Sequence, residues 1–168
     1  MLERPCRLLS GIALALLAAA PASAQSVRLI GEFRDWSAYS ASEATGALCF
    51  ALSKPTEVTP TPDGFTSAWV YLTNRPGEGI RNEFNVVAGY TFAPDQPATV
   101  TISGQSFELF TENDAAWLLD PAQGDNLAGA IRAGSQLVVD GTTQTGVKVS
   151  QRFSLSGATA ASRAIGDC

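Results

Sequence analysis

The stretch W-V-Y-L-T-N-R-P-G-E-G-I-R-N-E-F-N-V-V-A-G-Y, Trp69 to Tyr90, decides how this chain is read. Two runs rich in aromatic and β-branched residues flank the six residues Asn74-Arg75-Pro76-Gly77-Glu78-Gly79, rich in turn formers, a pattern that predicts a β-hairpin. Strand side chains alternate faces, so Phe84, Val86, Ala88 and Tyr90 share one side of the second arm while Arg81, Glu83 and Asn85 share the other. One face is therefore expected to be buried and the other solvated. The first arm is apolar on both parities, Trp69 and Tyr71 against Val70 and Leu72, which suits an internal strand or one with an aromatic surface.

Outward from this hairpin the same signals recur at short intervals. On the N-terminal side, a strand is expected around Trp36 to Ser40 after a short lead-in, and another over Leu48 to Leu52 that ends at Lys54-Pro55. Thr56 to Gly64 holds two prolines and an Asp-Gly pair and reads as a loop. On the C-terminal side, Thr99–Ile102 and Phe107–Phe110 form a local hairpin around Ser103 to Ser106, followed by a short strand at Ala116 to Leu119. Asp125-Asn126 can cap a two-turn helix over Leu127 to Ala133, with Gly134 as its C-cap glycine. Strands at Gln136 to Val139 and Val147 to Phe153 precede an alanine-rich tail with helical spacing. About eight short strands with turn signals between them predict a mainly β chain, a sandwich or barrel with one or two short helices.

The first 24 residues have the parts of a secretory signal. Arg4 and Arg7 precede the apolar run Leu8 to Ala20, and Ala22-Ser23-Ala24 offers a small-x-small site, so cleavage is expected before Gln25. The apolar run falls short of the roughly 20 residues that span a bilayer, and no stable membrane span is expected in the mature chain. Residues 25–168 then form one domain in the periplasm or outside the cell. Cys6 leaves with the signal, and Cys49 and Cys168 remain in an oxidising compartment, where they are expected to form a structural disulfide. No C-x-x-C spacing supports a reactive thiol pair.

The full chain of 168 residues carries a net charge of -5 and contains only two lysines, Lys54 and Lys148, which argues against nucleic acid as a partner. There is no histidine, so Ser-His-Asp and Cys-His catalysis and ordinary zinc sites are excluded as usually built. No cofactor or metal is expected. Glu112, Asp114, Asp120 and Asp125 cluster around Trp117 and could in principle supply a carboxylate pair for glycan hydrolysis, although such acids more often line turns and cap helices. A candidate interaction surface lies on the central hairpin: Trp69 and Tyr71 as aromatic anchors with Arg75, Arg81 and Glu83, because binding hot spots favour Trp, Tyr and Arg. The competing reading pairs Arg81 with Glu83 within the sheet.

Taken in order, D-W-S-A-Y at Asp35 to Tyr39, C-F-A-L-S-K-P at Cys49 to Pro55, T-N-R-P-G-E-G-I-R-N-E at Thr73 to Glu83 and G-Y at Gly89-Tyr90 resemble the invasion-associated locus B family. The resemblance continues through F-E-L-F-T-E-N-D-A-A-W at Phe107 to Trp117, A-I-R-A-G-S-Q-L-V-V at Ala130 to Val139, S-L-S-G at Ser154 to Gly157 and Cys168. It implies an immunoglobulin-like β-sandwich in an exported bacterial protein and carries no catalytic residues onto this chain. The function expected is that of a noncatalytic envelope binding protein, with a protein partner in the envelope or on a host cell.

Overall fold

The computed structural model describes residues 26–166 and residue 168; the expected signal segment lies outside these. Eleven strands form: β1 Arg28–Phe33, β2 Trp36–Glu43, β3 Gly46–Ser53, β4 Glu57–Thr59, β5 Trp69–Arg75, β6 Ile80–Val87, β7 Ala98–Ile102, β8 Gln105–Glu112, β9 Ala115–Leu118, β10 Gln136–Thr142 and β11 Lys148–Ser154. Two helices accompany them, α1 Gly124–Ala133 and α2 Ala158–Gly166. Every strand pairing is antiparallel, and the ladder runs β1-β2-β3-β5-β6-β9-β8-β7-β10-β11-β4 without a break. The chain is thus mainly β and sandwich-like, with two short helices.

What makes this long ladder a sandwich is contact between strands far apart in its order. Trp36, at the start of β2, donates its indole Nε1–H to the Ser154 carbonyl at the end of β11, 2.9 Å away. Gln151, in the middle of β11 and fully buried, donates from Nε2 to the Ala88 carbonyl just beyond β6, at 2.7 Å. Both bonds are made by polar groups inside an apolar layer, where leaving one unpaired would cost about 1–3 kcal/mol. They join the two halves of the ladder face to face. Between the halves lie Trp36, Val70, Leu72, Phe84, Val86, Val100, Ile102, Leu109, Leu137, Val139 and Phe153, with Leu127 and Ile131 of α1 and Ile165 of α2 completing the core.

The face alternation expected from the hairpin holds. Phe84, Val86, Ala88 and Tyr90 are all buried, as are Val70 and Leu72, while Trp69 and Tyr71 lie half-buried on the opposite side. Several boundaries differ for identifiable reasons. The lead-in before Trp36 is itself a strand, β1, turned back onto β2 through Arg34, which adopts a left-handed φ of 57°. The segment expected as loop contains β4, three residues bounded by Pro55 and Pro60 that pair with β11 at the rim, where missing backbone donors are tolerated. Helix α1 starts three residues before Leu127 and takes no side-chain cap from Asp125 or Asn126, because a 3-10 turn at Pro121–Gln123 leads straight into it. Gly134 follows α1 with φ at -83°, so it is not a left-handed cap; a Cβ there would stand 2.6 Å from Ile102 Cγ2. Close packing of the helix end on β7 explains that glycine.

Cys49 and Cys168 form the expected disulfide, with Cα atoms 5.9 Å apart and a sequence separation of 119. It ties Cys168, beyond α2, to β3. A closed loop of this length constrains the unfolded chain by on the order of 3–5 kcal/mol. Cys168→Ser should therefore lower the unfolding free energy by about 2–5 kcal/mol in urea denaturation, and mass analysis of the unreduced protein should find no free thiol at either position.

Tyr90 packs edge-on against Phe92, with ring centroids 5.1 Å apart. Burial, and secondarily the negative charge of Asp140, holds its phenol well above the usual tyrosine range. Burial also raises Tyr71. A phenol that ionises only above its unfolded value contributes stability that is present below about pH 10 and lost as the pH rises further. Unfolding free energy should accordingly be insensitive to these groups up to about pH 9 and fall above pH 10, with a shallower fall in Tyr90→Phe.

Candidate functional site on the outer face of the sheet

The outward side of the sheet carries an aromatic row set by strand register. Ser37, Leu52, Tyr71, Asn85, Trp117 and Phe110 stand directly opposite one another across β2, β3, β5, β6, β9 and β8. At about 4.8 Å per strand the row extends roughly 24 Å. A neighbouring row runs Leu29, Tyr39, Phe50, Thr73 and Glu83. Tyr39 stacks on Phe50 at 5.3 Å, Phe50 leans on Tyr71 at 6.3 Å, and Phe110 stacks on Trp117 at 5.4 Å and 19°. Outer faces of two-layer β proteins are ordinarily polar. Here large rings lie half-exposed on five of the six strands, and Phe110 is 43% accessible.

The residues expected to form an interaction surface are divided by this geometry. Trp69 and Tyr71 both stand on the outer face; Lys54 Nζ sits 4.6 Å over the Trp69 ring, a cation–π contact. Arg75 is held by Glu83, with Glu43 at 3.9 Å, so the pairing of Glu83 is with Arg75 and not with Arg81. Arg81 is exposed and makes no ion pair among the described residues. Pro76-Gly77-Glu78 forms a 3-10 turn closed by Gly79 at a left-handed φ of 71°, and a Cβ on Gly77 would fall 2.0 Å from the Thr45 carbonyl. Thr45 also donates its hydroxyl to Glu78 at 2.7 Å, so the hairpin tip is fastened to the β2–β3 turn.

One residue that sequence reading passed over organises this region. Asn74 is buried at the β5 end of the hairpin, directly across from Cys49. Its Oδ1 accepts the backbone N–H of Asn82 at 2.9 Å, and its Nδ2 donates to the Ile165 carbonyl at 2.9 Å. Asn82 takes a left-handed φ of 54° and donates from Nδ2 to Asp125 at 2.7 Å, which brings the start of α1 against β6. The sequence shows only an asparagine at the start of a predicted turn. Its partners are 8 and 91 residues away, and no local pattern encodes them.

The four acids near Trp117 do not gather into one site. Asp120 caps the 3-10 turn by accepting from Ala122 N at 3.1 Å, Asp125 is engaged by Asn82, and Asp114 borders a different cavity with Thr143 and Tyr90. Glu112 alone shares a groove with Trp117. That groove, of about 680 Å³, opens where β9 pairs with β6 over Asn85–Val87 only and then departs toward Pro121. Phe84 and Leu118 lie at its base, Phe110 and Trp117 form one wall, and Arg81, Glu83 and Glu112 border the mouth. Among the described residues, no group of three His, Cys, Asp or Glu side chains is placed to hold a metal ion, and no helix is long and apolar enough to cross a membrane.

These features describe an antiparallel β-sandwich-like protein with two helices packed into its core and an aromatic outer face. The fold is similar to that of invasion associated protein b from Bartonella henselae, with a TM-score of 0.55 and 16% identity, over 86% of this chain and 97% of that one. At this identity the similarity concerns the fold. The sequence matches no family model, and no curated protein matches it.

Asn74→Ala removes one buried and one partly buried hydrogen bond and leaves the Asn82 amide and the Ile165 carbonyl without their partner. It should cost about 2–4 kcal/mol. Arg75→Ala breaks a partly exposed ion pair and should cost no more than about 1 kcal/mol. Urea denaturation of the two variants side by side checks the contrast.

Proposed function

We propose that this chain is an exported, noncatalytic interaction protein of the bacterial envelope that binds a protein partner, in the envelope or on a host cell, through its outer aromatic face. The observation that carries this reading is the cross-strand row from Tyr71 to Phe110, with Trp69 and Lys54 beside it. Large half-exposed rings on a rigid sheet lose little conformational entropy on binding, and Trp, Tyr and Arg dominate interface energetics. Export is supported by the signal-like residues 1–24 and the disulfide, and the envelope setting by the fold it shares with invasion associated protein b.

The alternative, a glycan hydrolase using loop carboxylates, draws little from the geometry. Asp120 and Asp125 are engaged in hydrogen bonds of their own, Asp114 borders a different cavity, and Glu112 has no second carboxylate of that group in its groove.

Photo-crosslinking from Tyr71 or Trp117 positions in intact cells, followed by capture of the exported protein, tests the proposal. A specific adduct should form, and pairing Tyr71→Ser with Trp117→Ser should weaken its formation on the order of 30-fold while the far-ultraviolet circular dichroism is kept. An adduct whose yield ignores both substitutions, or no adduct above controls, counts against this face.

A further inference from the structure

We propose that the groove between β6 and the β8–β9 hairpin is a binding site for an amphipathic carboxylate, a ligand with an apolar chain or ring and one anionic head. The inference rests on the outer face being the binding face and names a ligand for its deepest part. Its base is formed by Phe84 and Leu118, residues of the core itself, so a ligand entering here meets apolar surface continuous with the interior. The volume of about 680 Å³ falls within the range of small-molecule sites.

The groove does not suit an added β-strand. The first residue of α1, Gly124, lies against β6 so closely that a Cβ on it would stand 3.3 Å from the Asn82 carbonyl and 4.0 Å from that of Arg81. The backbone groups that a strand would need are covered there. What remains open is side-chain space: the Trp117 and Phe110 wall and the mouth.

Charge at the mouth selects the head group. Glu83 is already neutralised by Arg75, whereas Arg81 is exposed and has no carboxylate partner among the described residues. A guanidinium offers a planar two-point match to a carboxylate. Glu112, also in the lining, lacks an ion pair among the described residues and opposes an anion, so it tempers affinity.

Titration of the purified exported protein with decanoate, 1-decanol and decyltrimethylammonium, followed by tryptophan fluorescence and calorimetry, tests the site. Decanoate should saturate, binding about 10-fold tighter than decanol, with the cationic amphiphile weakest. Arg81→Gln should bring decanoate to the level of decanol and leave decanol unchanged. Glu112→Gln should tighten decanoate, and Ile80→Trp, which fills the groove, should abolish binding of all three. Equal affinity for decanoate and decanol, indifference to Arg81→Gln, binding that survives Ile80→Trp, or no saturable binding overturns the assignment. If decanoate fails to bind while crosslinking still depends on Tyr71 and Trp117, this inference falls and the protein-binding reading of the face stands.

Discussion

A single buried amide, Asn74, joins the parts of this molecule that the chain itself keeps apart. It holds the Asn82 amide in the bend of β6 with one atom and the end of α2 with another, and it stands across the ladder from the disulfide-bonded Cys49. Two restraints of different kinds therefore meet at one strand position. The disulfide limits how far the C-terminus can stray in the unfolded chain. The hydrogen bond to Ile165 orients that terminus once it is docked, since its carbonyl is withdrawn from water and has no cheaper alternative.

From this point the restraints pass to the outer face. The bend at Asn82 brings α1 onto β6 through Asp125, and α1 in turn rests against α2, where Thr159 donates to the Arg132 carbonyl at 3.0 Å. With the first turn of α1 placed against β6, β9 cannot follow β6 along its whole length. The ladder opens, and Arg81, Trp117 and Glu112 come to border one groove. The candidate site is thus a consequence of how the helices are seated, and its walls belong to rigid strands, as binding surfaces of high affinity require.

The aromatic face has a separate origin. Trp69, Tyr71, Phe50 and Tyr39 have strong strand propensity and pack against each other across neighbouring strands, which stabilises the sheet whether or not a partner is present. A structural role and a binding role coexist at these rings. The charged residues around them divide more sharply: Arg75, Glu83 and Glu78 are absorbed into holding the hairpin tip, and Arg81 is left to the solvent.

Alternation in Trp69 to Tyr90 was enough to determine a hairpin with one buried and one more solvated face, because strand geometry converts sequence parity directly into sidedness, while the first arm, apolar on both parities, left its aromatic side open. The turn formers placed most remaining strands, and the expectation of export, with two cysteines beyond the signal-like segment, pointed to their pairing. Three things were decided only in tertiary structure. The β1 and β4 edges depend on partners supplied by other strands, the task of Asn74 depends on atoms up to 91 residues distant, and the division of Arg75, Arg81, Glu83 and Glu112 between scaffold and groove depends on strand register. Local sequence carries local periodicity, whereas the meeting of distant backbone groups is settled by which packing buries the most apolar surface while leaving the fewest buried polar atoms without a partner.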